Sequence, residues 1–175
     1  MAPSPTGCMP GEILAVRWSD VDLKRSPPTV TINGTIVAVK GEGLKRQPPK
    51  TAASLRTLPL PAFAVAVLLR RRVQSKSTFE AVFPSRAGTW ISPRNLARTF
   101  RQARVEAGLG KVQLKACRAT VATLISREAG SKRAAQQAGH GSDRVAEAYY
   151  IAKAAQAPDS SAILEQLAPR IQNRG

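Results

Sequence analysis

Histidine occurs once in these 175 residues, and cysteine and tyrosine occur twice each. One histidine and two distant cysteines, Cys8 and Cys117, match no zinc-ligand spacing. There is no His-Glu-x-x-His pattern and no cluster of carboxylates, so a metal-dependent nuclease is disfavoured. The same two cysteines provide no disulfide framework and are expected to be reduced thiols. Acidic residues are scarce: 11 Asp and Glu stand against 27 Lys and Arg. Long apolar runs are missing too. The longest, Leu58 to Leu69, is twelve residues and contains Pro59 and Pro61, against the roughly 20 needed to span a bilayer. The first residues lack the basic-then-apolar order of a signal peptide, so the cytoplasm is the expected compartment.

What is abundant is positive charge. The net charge is +16 and the isoelectric point is near 11.2. A field of that sign attracts polyanions. The cations are spread through sequence that reads as folded, which favours nucleic acid over an anionic membrane surface. The length fits one domain with a core of its own.

The chain divides into a β-rich first third and a helical remainder. Gly11 to Val16 reads as a short helix. Thr29-Val-Thr-Ile-Asn-Gly34 and Thr35-Ile-Val-Ala-Val-Lys40 are β-branched runs meeting at Asn33-Gly34, the signal of a hairpin. Gly41 to Pro49 reads as a basic turn, and Leu55 to Pro59 as a third strand, with Pro59 suiting an edge or a strand end. Thr29 to Leu60 is therefore expected to form a three-stranded antiparallel sheet. From Pro61 the pattern is helical, with Phe63, Ala66, Val67 and Leu69 as the apolar positions. Ser92-Pro93 supplies an N-cap and a first-turn proline for a helix whose apolar side is Leu96, Phe100, Ala103 and Ala107. Further helices are expected over 115–128, 132–138, 143–152 and 160–168. The fold class is α+β, mainly helical, in one domain.

Four motifs stand in a fixed order. Thr6-Gly-Cys-Met-Pro-Gly-Glu-Ile-Leu-Ala-Val-Arg-Trp-Ser-Asp-Val-Asp22 comes first. Pro49-Lys50-Thr51 follows, with Arg56-Thr-Leu-Pro-Leu60 after it. Lys115-Ala-Cys-Arg118 is third. Gly139-His140 closes the series, with Tyr149 and Tyr150 nine and ten residues after the histidine. In this order they resemble the catalytic domain of the tyrosine recombinases, the phage integrase family, over nearly the whole chain. The first resembles the family's Thr-Gly-x-Arg-x-x-Glu opening followed by Leu-Arg-Trp-x-Asp, the second its lysine hairpin, the third its His/Lys-x-x-Arg box.

That resemblance implies a specific chemistry. A tyrosine phenolate attacks a DNA phosphate and stays joined to it as a 3′-phosphotyrosyl intermediate, conserving the bond for rejoining. Cationic donors stabilise the charge on the non-bridging oxygens, and a general acid protonates the leaving 5′-oxygen. Tyr150 is the expected nucleophile, with Tyr149 as the alternative; the sequence Tyr150-Ile151-Ala-Lys favours Tyr150. Arg118 is the expected phosphate clamp, and Lys115, on the same helix face, a second donor. Lys50 is the expected acid, and His140 is expected to hydrogen-bond a phosphate oxygen. No cofactor and no metal are implied. DNA is the expected partner, with self-association on DNA through the C-terminal helix.

Two departures from the family pattern carry expectations of their own. Met9 stands where the family has its first catalytic arginine, and a thioether makes no charge-assisted hydrogen bond to phosphate. Related chains also carry helices before Thr6, and a separate DNA-clamping domain before those; both are expected to be missing from this single domain of residues 1–175. The resemblance therefore implies site-specific recombination impaired by Met9, with a non-catalytic DNA-binding remnant as the alternative.

Overall fold

The computed structural model describes residues 7–49, 54–75, 77–110, 112–139, 155–156 and 159–167. Helix α1 (Pro10–Leu14) starts with proline at its first position, where the missing N–H costs nothing. Its Leu14 is fully buried. A 3₁₀ turn over Trp18–Asp20 leads into β1 (Val21–Asp22), and β2 (Thr29–Ile32) follows the Pro27-Pro28 break. Next come β3 (Thr35–Val39), β4 (Gly43–Gln47) and β5 (Arg56–Pro59). The helices α2 (Ala62–Gln74), α3 (Pro93–Glu106), α4 (Leu114–Ala129) and α5 (Ser131–Ala138) form the body. A two-residue strand β6 (Ala155–Gln156) and α6 (Ser161–Glu165) complete the described chain.

The first sheet has four strands in the order β1-β2-β5-β6 rather than the three expected; its first three are antiparallel but are not the expected members, and β6 joins β5 in parallel. β2 pairs with β1 on one side and with β5 on the other, Thr29 opposite Pro59 and Ile32 opposite Arg56. β3 instead pairs with β4 in a separate two-stranded sheet, from Thr35 opposite Gln47 to Val39 opposite Gly43. Asn33-Gly34 is thus a crossing between two sheets. A type I′ hairpin needs positive φ at both central residues, and Gly34 is not in that region. Its missing side chain serves another purpose: a Cβ there would lie 2.6 Å from Cζ of Arg46, so glycine lets that guanidinium lie against the backbone. The stretch read as a basic turn contains β4.

The core has three parts. Val16, Val30, Ile32, Leu58, Leu60, Ala64 and Leu68 join the first sheet to α2. Leu14, Ile36 and Leu96 join α1, the second sheet and α3. Val121, Ile125, Ala134 and Leu164 join α4, α5 and α6. On α2 the buried positions are Ala64 and Leu68, with Phe63 partly packed, while Ala66, Val67 and Leu69 face outward. Every residue from Ala62 to Leu69 is apolar, so periodicity could not choose the inner face. On α3, Leu96 is buried and Phe100 half-buried, but Ala103 and Ala107 are exposed, so the apolar contacts described for this helix lie in its first half. The cap of α3 is as expected: Ser92 Oγ accepts from the Asn95 N–H at 3.0 Å. The helices expected near 115–128, 132–138 and 160–168 are present, the last as the short α6. The one expected over 143–152 lies outside the described residues.

Candidate active site

Arg118 sits in the second turn of α4, half-buried, and its guanidinium is held from two directions. Nη1 donates to the Gly7 carbonyl at 3.2 Å, and Nη2 to the Ala138 carbonyl at 2.7 Å. The first contact ties α4 to the segment before α1; the second ties it to the C-terminal end of α5. Gly7 has φ +71°, and a Cβ on it would stand 3.0 Å from Cγ1 of Val121, one turn beyond Arg118. The glycine of the opening motif is therefore required twice, for its backbone angle and for close packing on the arginine helix. Met9 lies two residues after Gly7 and is 51% exposed. Met9 thus stands on the segment that Arg118 grips. Lys115 lies three residues before Arg118 on the same helix. Its side chain, together with Lys50, His140, Tyr149 and Tyr150, lies outside the described residues.

Beside Arg118 is a second arginine for which the motifs suggested no role of its own. Arg56 on β5 is 2% exposed, and all five of its N–H groups have acceptors. Nη1 and Nη2 meet Glu12 Oε1 and Oε2 at 3.1 and 3.0 Å, a two-pronged ion pair. Nη1 also donates to the Ser54 carbonyl at 2.9 Å and Nη2 to Cys8 Sγ at 3.4 Å, while Nε donates to the Gln137 carbonyl at 3.1 Å. Burial by itself would lower the guanidinium's pKa, but the Glu12 and Cys8 contacts together raise it, and the charge is retained. Glu12 Oε2 accepts in addition from the Met9 N–H at 2.7 Å. The clues were present in sequence, since Glu12 and Arg56 both fall inside family motifs. Their pairing across 44 residues needed the fold.

A polar network behind the site holds the two sheets together. Asp20, nearly buried, accepts from Arg17 through backbone and side chain and from Asn33 Nδ2 at 2.8 Å. Burial would raise its pKa, but the Arg17 and Asn33 hydrogen bonds and the Arg17 charge bring it below the ordinary carboxylate value. Arg46 bonds the Ala15 carbonyl at 2.9 Å and the Asn33 side-chain oxygen, and stands 3.6 Å from Asp20. Burial, followed by the neighbouring Arg17 charge, lowers its pKa. Cys117, next to Arg118, is a free thiol whose pKa burial raises. It is not activated as a nucleophile.

The described ends of the stretch that contains His140 and Tyr150 both return to these arginines. At one end, α5 stops at Gly139, with Arg56 on the Gln137 carbonyl and Arg118 on the Ala138 carbonyl. At the other, β6 lies parallel to β5 with Ala155 opposite Arg56. Among the described residues no group of three metal-ligating side chains occurs, and no helix is long and apolar enough to cross a membrane.

This architecture is that of integrase and recombinase catalytic cores. The Tn1549 transposon integrase, solved in complex with a circular intermediate DNA, matches with a TM-score of 0.70 at 16% identity, over 85% of this chain and 51% of that one. XerA recombinase matches at 0.60 and 25% identity, over 94% of this chain and 54% of that one. Residues 5–157 match the phage integrase family, and the chain belongs to it. Similar sequences include a tyrosine recombinase XerC-like protein of Caldanaerobacter subterraneus subsp. tengcongensis, 29% identical over 77% of this chain and 40% of its own. The tyrosine recombinase XerC of Xanthomonas axonopodis pv. citri is 31% identical over 75% of this chain and 38% of its own. The chain thus spans about two fifths of the length of these curated relatives.

Proposed function

We propose that residues 1–175 form a catalytic domain for site-specific DNA recombination, acting in the cytoplasm and impaired by Met9. The phenolate of Tyr150 attacks a DNA phosphorus, forming the tyrosyl O–P bond as the bond to the 5′-oxygen breaks. The leaving oxygen takes a proton from Lys50. Arg118, Lys115 and His140 stabilise the charge on the non-bridging oxygens, and rejoining reverses the sequence. The observation that supports this reading is the convergence of three segments on two arginines: the one before α1 and the end of α5 that leads into His140 on both Arg118 and Arg56, and the strand that follows Tyr150 beside Arg56. The +16 charge supports DNA as partner, as do the exposed Arg94, Arg98 and Arg101 at helical spacing on α3. Self-association on DNA through the C-terminus belongs to the same reading. Leu164 of α6 is buried in its own subunit, so other C-terminal residues would make that contact.

The second reading is a DNA-binding domain without chemistry, and Met9 favours it. Loss of one transition-state donor costs about 10²–10³ in rate. The two readings separate in the Met9→Arg variant on a pool of nicked duplexes of randomised sequence, with covalent adducts resolved on a denaturing gel. The catalytic reading expects an adduct that Tyr150→Phe abolishes. An adduct that survives Tyr150→Phe and disappears with Tyr149→Phe would move the nucleophile by one residue. No adduct from any Met9→Arg chain that still binds DNA would leave the second reading standing.

A further inference from the structure

Arg56 and Arg118 hold the same two segments of the chain, one residue apart in each. Before α1, Arg118 bonds the carbonyl of Gly7 and Arg56 bonds the sulfur of Cys8. At the end of α5, Arg56 bonds the carbonyl of Gln137 and Arg118 that of Ala138. The two guanidinium groups thus bridge one pair of segments side by side. Arg56 is buried and paired with Glu12, which also fixes the Met9 N–H. Arg56 further pins the Ser54 carbonyl, four residues after Lys50, and lies opposite Ala155, five residues after Tyr150.

From this arrangement we infer that Arg56 is a positioning residue for Arg118: it clamps, through the Cys8 sulfur and the Gln137 carbonyl, the two segments against which the Arg118 guanidinium is oriented. The inference rests on the reading of Arg118 as the phosphate clamp. A planar, five-donor fork suits the task, because it fixes several acceptors from one rigid plane. Lysine in its place would keep a charge for Glu12 but could not reach Gln137, Ser54, Cys8 and both Glu12 oxygens together. The two segments that Arg118 bonds would then lose the contacts that Arg56 makes to them. Positioning of this kind affects anion affinity more than its share of the fold's stability, since a small displacement of a donor weakens a directional hydrogen bond steeply.

The test uses the full chain and inorganic phosphate, followed through the Arg118 side-chain Nε–H resonance. In the unmodified chain phosphate should shift that resonance saturably, and Arg118→Gln should remove the binding. If phosphate affinity is unchanged by Arg118→Gln, the parent reading of Arg118 fails, whatever Arg56 does. Arg56→Lys, and the paired change Glu12→Gln with Arg56→Met that leaves no uncompensated buried charge, should each weaken phosphate at least about fivefold, the lower end of ordinary coupling between sites. Val82→Ala, a core truncation at a residue that bonds neither Arg56 nor Arg118, should lower stability and leave phosphate affinity where it was. Arg118-dependent affinity that survives both Arg56 changes would overturn the inference, and so would an equal loss in Val82→Ala. A second measurement needs no variant. Coupling is reciprocal, so saturating phosphate should slow solvent exchange of the Arg56 Nε proton, and an unchanged rate would also overturn it.

Discussion

Glu12 and Arg56 form an ion pair with little access to water, and removing one member leaves the other charged and buried. Arg56→Met should therefore destabilise the chain by about 3–5 kcal/mol, read as a lower urea midpoint at an unchanged slope. Gly7→Ala meets both a left-handed backbone and the Val121 side chain at 3.0 Å, and should cost upward of about 1 kcal/mol. Asp20 gives a pH prediction. Its folded-state pKa is lowered, so its contribution is complete above the unfolded value of about 3.9 and is lost as pH falls through the folded value. Thermal unfolding from pH 6 down to pH 3 should show a decline below about pH 4 that is shallower in Asp20→Asn. The motifs drew attention to the stretches that hold Arg118, Glu12 and Arg56, and the fold shows Glu12 paired with Arg56. Such partners were not legible in the sequence. The acceptors of Arg56 come from residues 8, 12, 54 and 137, and three of its contacts are to main-chain carbonyls or a sulfur that composition cannot flag.

At the level of elements, local signals with a single cause were read correctly, and those open to two causes were not. Ser92-Pro93 has one physical meaning, and the cap is there; Ser92→Ala should cost about 1 kcal/mol by the same denaturation measurement. Asn33-Gly34 has two. Glycine at a strand end can supply a positive φ or it can make room, and here it makes room for Arg46. The expected hairpin was therefore displaced to β3 and β4, which turn at Lys40 to Glu42. The inner face of α2 was ambiguous because both faces are apolar. On α3 the outward side bears Arg94, Arg98 and Arg101, none ion-paired among the described residues. Replacing these three with Gln should flatten the dependence of log K on log salt, in filter binding to a duplex. The slope should fall by up to about 0.9 for each phosphate no longer neutralised. An unchanged slope would remove α3 from the DNA-facing surface.

For the molecule as a whole, the charge and the site make separate demands. Under the proposed function a net charge of +16 should give salt-sensitive, sequence-independent binding to DNA, since phosphate contacts orient a protein without reading bases. Chemistry requires more, namely a full set of donors around one phosphate. Under the proposed function Arg118 is to provide one, and Met9 cannot provide another. The most direct measurement is the yield of covalent protein–DNA adduct on nicked duplex from the unmodified chain and from Met9→Arg, at equal DNA occupancy. The unmodified chain should form traces only, and Met9→Arg should raise the yield about 10²–10³-fold, the usual worth of one transition-state donor, with Tyr150→Phe returning it to background. Efficient adduct formation by the unmodified chain would contradict the account, because the methionine at that position would then not limit the reaction.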